Sequence, residues 1–396
     1  MKKIFKNSTL AFLAPTLSRF VTDTEKLLRE LIALPSVNPA FLGPGDPHAG
    51  EERVADFLAA TAARAGLDIE FQKVLPGRSN LLATLSPSGK VRQRILLAPH
   101  MDTVGVFSED QFLPRINGDR LFGRGACDTK GSVAAMLTAL TKLAKQKLRP
   151  SETEIIFGGL IDEENAQVGS RALANGGLKA NLAIVGEPTE NQIVTAHKGS
   201  LWLRFETHGK AAHGARPELG VNAVHEMARI VDFLQTDYSA QLRRRKHPLL
   251  GRATISVGKI SGGTQPNIVP AQCVMSADRR TLPGESEDSV RQEILESLRK
   301  RKLKATLSSD KTVPCLPLET NFKLPLVQKF LQSARQKRPA GVDYFCDASV
   351  LAHGGIPSVV FGPGDIAQAH TSDEWISLRS LERATAVLVQ FLQSLP

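Results

Sequence analysis

Cysteine is scarce in this chain of 396 residues, and the four present do not pair in sequence. Cys127, Cys273, Cys315 and Cys346 form no C-x-x-C, which argues against a thiolate zinc site and against a disulfide framework. Free thiols suit a reducing cytoplasm. Aromatic residues make up 5% of the chain and few lie near the basic runs at 243–246 and 299–302, so no stacking surface for single-stranded nucleic acid is visible. No apolar run approaches ~18 residues, which argues against a membrane-spanning helix. The N-terminus mimics a secretion signal, being basic over Met1-Lys2-Lys3-Ile4-Phe5-Lys6 and apolar from Leu10 to Ala14. Its apolar core is short, Pro15 follows, and no A-x-A cleavage site appears, so a cytoplasmic protein is expected.

Several catalytic motifs are missing too. Gly118 and Gly123 are spaced as in G-x-x-x-x-G, but Arg124 stands where a phosphate-binding loop needs lysine. No G-x-G-x-x-G follows a strand, and no G-x-S-x-G elbow occurs. His225-Glu226 opens like H-E-x-x-H, but Arg229 holds the second histidine's place. The net charge of +10 permits contact with nucleic acid or an acidic membrane without requiring it. Both basic runs read as solvated faces, so neither partner is expected.

What is present is an ordinary globular composition, 42% hydrophobic and 23% charged, in a chain long enough for two domains. Thr22-Asp23-Thr24-Glu25 reads as a capping box before helix-spaced Leu27, Leu28, Leu31 and Ile32. A second helix fits 51–65, with Gly66 as its C-cap. Strands fit 69–74, 80–85, 95–98, 154–161 and 182–185, interleaved with helices at 132–143 and 169–174. The rhythm changes near Trp202. A strand at 201–207, a helix at 221–234, strands at 253–260 and 271–278 and a helix at 288–299 suggest a βαββαβ unit of about 110 residues. The first rhythm then returns, with a helix at 326–333, a strand at 358–361 and a helix at 380–395. The expected fold is α/β: a mixed-sheet α/β/α domain made of 1–198 and 311–396, interrupted by an inserted α+β, ferredoxin-like domain at 199–310.

The chemistry gathers at strand ends. Leu96-Leu97-Ala98-Pro99-His100-Met101-Asp102 is an apolar strand finishing in His-x-Asp. Asp162-Glu163-Glu164-Asn165 follows the strand at 154–161, and Gly186-Glu187-Pro188-Thr189 follows the strand at 182–185. His370 lies in a Gly/Pro-rich loop after the strand at 358–361, and Asp128 sits in Gly123–Gly131, before a helix. Open α/β sheets place ligands at such ends. Taken singly, each feature reads as a solvated loop or a turn. Together, so many carboxylates would resist ionising unless a cation compensates them. Two histidines and three carboxylates, one of them bridging, form a reasonable ligand set for paired divalent metals. Mixed nitrogen and oxygen ligands suit zinc, with cobalt or manganese as alternatives.

In these segments the sequence resembles the zinc peptidase and deacylase family that includes acetylornithine deacetylase, succinyl-diaminopimelate desuccinylase, aminoacylase and bacterial glutamate carboxypeptidase. Further matching segments are Ala212-His213-Gly214-Ala215-Arg216-Pro217, the run from Gly262 to Pro270, and Asp278-Arg279-Arg280. The likeness runs from about residue 20 to the C-terminus. It implies two metal ions: His100 and Glu187 on one, Glu164 and His370 on the other, and Asp128 bridging. It implies Asp102 behind His100, Glu163 as general base, and a cis peptide at Asp128–Thr129. His213 would stabilise the oxyanion, reaching across a homodimer formed through the inserted domain, and Asn267 and Arg280 would hold a substrate carboxylate. Gly199 and the 309–314 segment would be hinges. The expected activity is hydrolysis of an amide in an N-acyl amino acid or a short peptide, a deacylase being favoured over a carboxypeptidase or dipeptidase. A non-catalytic binding protein on this scaffold would lack a ligand or the base, and none is missing. Thr129 and Ser132 depart from the family pattern, which commonly has a bulkier apolar residue and a glycine there.

Overall fold

The computed structural model describes residues 21–146, 148–311 and 313–396. The signal-like stretch lies outside them, as does Thr312 in the expected hinge at 309–314. The main sheet has nine strands. Their order is Asp68–Leu75, Arg78–Leu85, Thr153–Gly159, Gln93–Pro99, Leu182–Gly186, Ser358–Val360, Val194–His197 and Leu318–Glu319, with Ala340–Val342 also pairing to Val194–His197. Its centre is parallel: Thr153–Gly159, Gln93–Pro99, Leu182–Gly186 and Ser358–Val360 lie side by side. Parallel strands are covered on both faces, and so read as continuous apolar runs. Gln93–Pro99 shows this directly. Ile95 and Leu97 face a core shared with helices Asp23–Ile32, Glu52–Arg64, Lys130–Lys145 and Leu378–Gln393. Leu96 and Ala98 face the opposite core, against helix Asp347–His353. This is the expected α/β/α layering. The Thr22 hydroxyl accepts the Glu25 N–H at 3.1 Å and so starts the first helix.

A separate antiparallel sheet follows the order Thr254–Gly262, Gln272–Thr281, Gly199–His208, Thr306–Ser309. Helices Ala223–Phe233 and Glu287–Lys300 cover it and complete the βαββαβ unit. The chain enters this unit with only Lys198 between strands Val194–His197 and Gly199–His208. Gly199 is required there by crowding. A Cβ would lie 2.5 Å from the Cys315 carbonyl oxygen, on the returning segment, which accepts the Ser200 N–H at 2.9 Å.

A third sheet, Arg115–Asn117, Arg120–Phe122 and Trp375–Ser377, has strands of only three residues. They are too short to show an alternating pattern, and the sequence reading passes over them. This sheet anchors the chain just after His370. No helix among the described residues is long and apolar enough to cross a membrane. The basic runs are solvated as expected: Arg243, Arg244 and Lys246 are exposed, as is all of 299–302.

Candidate metal centre

The four central parallel strands end next to one another, and each continues into a candidate ligand. His100 follows Pro99, Glu163 and Glu164 lie beyond Gly159, Glu187 follows Gly186, and the loop after Val360 leads to His370. Asp128 comes in on the turn before helix Lys130–Lys145, and its peptide to Thr129 is cis. Ligand atoms of His100, Asp128 and Glu187 lie within 4.8 Å of one another, as do those of Asp128, Glu164 and His370. Asp128 belongs to both groups. Its Oδ1 is 3.2 Å from His100 Nε2, and its Oδ2 is 3.3 Å from His370 Nε2. Glu187 Oε1 stands 3.7 Å from His100 Nε2, and Glu164 Oε2 stands 3.1 Å from His370 Nε2.

The electrostatics ask for cations. Burial opposes a charge on His100, but Asp102, Asp128 and Glu187 outweigh it and hold its pKa well above the usual imidazole range. Hydrogen bonds to Asp128 and Glu164 push His370 up to about 10. Burial, then Asp128, pushes Glu187 well up and Glu164 up to about 7. Burial also acts against Asp128 as an anion, yet the two histidines outweigh it and depress its pKa. Divalent cations among these carboxylates would supply the positive charge that so many buried acids need. Among the described residues Glu164 Oε1 and Glu187 Oε1 are buried without a hydrogen-bond partner, an arrangement that costs free energy unless a donor or a cation engages them. The donor set of imidazole nitrogens and carboxylate oxygens fits a pair of divalent ions sharing Asp128.

Glu163 is held differently. Its carboxylate takes one long hydrogen bond, from the Gln167 amide at 3.5 Å, and no ion pair among the described residues. Burial, then Glu187, pushes its pKa well up. Asp102 supports it from behind, since the Asp102 carboxylate accepts the backbone N–H groups of Glu163 at 3.1 Å and Glu164 at 3.2 Å. His100 Nδ1 lies 3.0 Å from the Asp102 carbonyl oxygen and 3.4 Å from its Oδ1. Asp102 therefore anchors a candidate ligand and the neighbouring loop together.

Other residues complete this scaffold. Asn38 Nδ2 donates to Asp102 Oδ2 at 2.7 Å and to Asp162 Oδ1 at 3.0 Å. Arg78 Nε donates to Glu51 Oε2 at 2.8 Å, and its Nη2 pairs with Asp162 Oδ1 at 3.2 Å. Thr129 Oγ1 donates to the Gly186 carbonyl at 3.0 Å, tying the residue after Asp128 to the residue before Glu187. Lys130 is buried, and its Nζ donates to the carbonyls of Leu31 and Leu34. Glu374 gathers amides of the Asp128 loop. Of these, Thr129 is marked in the sequence only as a departure from the family pattern; Asn38, Arg78 and Glu374 carry no local signal there.

The candidates in the inserted unit stand apart. His213 is exposed, and its Nδ1 accepts the Ala215 N–H at 3.0 Å, which leaves the ring proton on Nε2, free to donate outward. Asn267 is exposed, and its carbonyl accepts the Gly214 N–H at 2.7 Å. Arg280 Nε pairs with Asp278 Oδ2 at 2.8 Å. Among the described residues, no hydrogen bond or ion pair joins these three to the two ligand groups.

Comparison with known proteins accords with this geometry. The family described as peptidase family M20/M25/M40 matches residues 96–394. An acetylornithine deacetylase from Myxococcus xanthus is 31% identical over 93% of this chain and 98% of its own. An aminopeptidase of Bacillus cereus shares the fold, with a TM-score of 0.75 at 22% identity over 94% of this chain and 97% of its own. A Bacillus subtilis protein described as a dinuclear metal binding peptidase of the M20 family has a TM-score of 0.67 at 15% identity, covering 93% of this chain and 96% of its own. The chain belongs to the M20/M25/M40 peptidase family and is a hydrolase of amide bonds.

Proposed function

We propose that this protein removes the acyl group from an N-acyl amino acid that carries a free carboxylate, as a deacylase of the acetylornithine deacetylase type. The observation carrying this reading is the pair of ligand groups that share Asp128, with Glu163, next to Glu164 in the chain, taking one long hydrogen bond and no ion pair among the described residues. The Myxococcus relative supports the deacylase assignment. His100, Glu187 and Asp128 would hold one ion, and Glu164, His370 and Asp128 the other. Zinc is the favoured metal, with cobalt or manganese as alternatives. Ions held there would supply Lewis acidity to the amide carbonyl and lower the pKa of the attacking water. Glu163 takes a proton from that water and delivers it to the departing nitrogen. Asp102 sets the position of His100 and of the Glu163 amide.

In this reading residues 199–310 act as a lid on the domain formed by 1–198 and 311–396. His213 Nε2 donates to the developing oxyanion. Asn267 and the Nη groups of Arg280, whose Nε is already taken by Asp278, grip the substrate carboxylate. The protein works as a homodimer with His213 serving the partner's site, a reading supported by the exposed edge strand Thr254–Gly262 and by the lack, among the described residues, of any hydrogen bond or ion pair from His213 to the ligand groups. Four buried free cysteines support a cytoplasmic location. A carboxypeptidase or dipeptidase is the second reading, an M20 family metallo-carboxypeptidase from Sulfolobus solfataricus being among the proteins that share the fold.

The test is a panel of N-acetyl-ornithine, N-succinyl-diaminopimelate, acyl-glutamates and dipeptides, run with and without chelator on protein of measured metal content. Full-rate hydrolysis by metal-free protein would sink the mechanism. Glu163→Ala should keep its metal and lose about 10²–10⁴-fold in turnover. Retained turnover would reassign the base.

A further inference from the structure

One buried carboxylate that touches no ligand side chain holds two ligand loops at once. Glu374 Oε1 accepts the backbone N–H groups of Cys127 at 2.8 Å and Asp128 at 2.9 Å. Its Oε2 accepts the Gly125 N–H at 2.9 Å and Arg124 Nη1 at 2.8 Å. The loop before Asp128 thus wraps its amides around one anion, the arrangement by which backbone N–H groups make an anion cradle. Gly125 supplies the positive φ, +79°, that turns its amide inward, and the Lys130 side chain leaves no room for a Cβ there. Arg124 is itself fully buried, and its Nη2 donates to the Thr371 carbonyl at 3.2 Å. The Gln111 amide donates to the same carbonyl at 3.2 Å. Thr371 follows His370, which is half-exposed and has a positive φ of 61°. The main chain of Glu374 is fixed as well, since its carbonyl accepts the Gly123 N–H at 3.0 Å and the next residue begins strand Trp375–Ser377.

We infer that Glu374 is a positioning residue for the second ion site: it fixes Asp128 through its backbone and His370 through Arg124 and the Thr371 carbonyl. His370 is the most exposed of the five proposed ligands, so it has the least packing to hold it and depends most on this link. Glu187 and His100 receive no hydrogen bond from Glu374 or Arg124. Loss of the clamp should therefore fall mainly on the ion held by Glu164 and His370. This rests on the dinuclear reading above.

The variant is Glu374→Gln, which keeps the size but puts an NH2 group against amide donors. Metal-free wild type and variant are titrated with zinc in competition with a chelating dye, and ions retained per folded chain are counted after dialysis. Wild type should hold two ions. Glu374→Gln should bind the weaker-held ion about 10–100-fold less tightly and retain the other, the range expected when a ligand's support is removed. Two ions bound with unchanged affinity by folded Glu374→Gln would overturn the inference and leave the dinuclear reading intact. Wild type that binds no ion would instead remove the reading on which it rests. If Glu374→Gln does not fold, Arg124→Lys decides: it keeps the charge beside Glu374 but cannot span to Thr371. Its second-ion affinity should fall by about tenfold or more, and an unchanged affinity would refute the link.

Discussion

Asp102→Asn separates the two tasks assigned to Asp102. The carboxylate meets four donors: the Glu163 and Glu164 amides, Asn38 Nδ2 and, more distantly, His100 Nδ1. An asparagine keeps one acceptor oxygen. If that oxygen takes the Oδ2 position, the Glu164 and Asn38 bonds survive and the Glu163 N–H faces an NH2 group. His100 Nδ1 also loses the distant Oδ1 contact then but keeps the Asp102 carbonyl at 3.0 Å, whereas an oxygen at the Oδ1 position would strand both the Glu164 N–H and Asn38 Nδ2. The first orientation is cheaper, so Glu163 is the residue released. Losing one buried charge-assisted hydrogen bond costs about 1.5–3 kcal/mol, and the stranded N–H adds to it, so a destabilisation of about 2–4 kcal/mol is expected. The functional loss should be larger. A shift of about 1 Å in a catalytic group costs on the order of 10²-fold in rate. Ion affinity should fall by about 10–100-fold through His100. The assays are urea unfolding of the metal-loaded protein, chelator competition, and kcat/KM at saturating metal. The informative result is the last, because saturating metal removes the His100 contribution and leaves the Glu163 one. A kcat/KM within about threefold of wild type under those conditions would refute the claim that Asp102 positions the Glu163 loop.

Three other outcomes follow from the same geometry. Thr129→Val removes the hydroxyl that bonds Gly186 and should cost about 1–2 kcal/mol in chemical unfolding, with weaker binding of the ion assigned to His100 and Glu187; unchanged unfolding would show that this bond adds nothing. Removing metal should lower the unfolding temperature, and returning it should raise that temperature with the logarithm of free ion concentration, because ions that bind only the folded chain stabilise it by mass action; a midpoint indifferent to metal would count against the site. His197 is buried and burial pushes its pKa down to about 4 from 6.5. The unfolded chain then binds more protons between pH 6.5 and 4, so this group takes away stability as pH falls through that window and takes none above it. At pH 4 the loss approaches about 3 kcal/mol, at ~1.4 kcal/mol per unit, and His197→Asn should flatten the difference between unfolding curves at pH 7 and pH 4.5; parallel curves for the two proteins would contradict this.

Fold and candidate ligands are legible in the sequence where structure and chemistry are written locally. Ile95, Leu96, Leu97 and Ala98 form a run because the strand is buried on both faces, and burial on both faces belongs to the centre of a parallel sheet. His100, Glu164, Glu187 and His370 were visible because each follows such a strand in the chain. What stayed hidden depends on partners that are distant in sequence. Arg124 meets Glu374 across 250 positions, and Asn38 meets Asp162 across 124. Neither spacing leaves a period, and an isolated Asn before a proline or an Arg between glycines has many local uses. Thr129 makes the point most sharply. From sequence it is a departure from the family pattern that touches no proposed ligand, and by side chain that is so. Its hydroxyl nonetheless joins the carbonyl preceding Glu187 to the residue following Asp128. A larger apolar residue would fix the same two loops by filling space, whereas Thr129 does it with a directional bond. Residues that act through backbone carbonyls and amides can change type while the ligands stay constant, which is why the support of a metal site is harder to read from one sequence than the site itself.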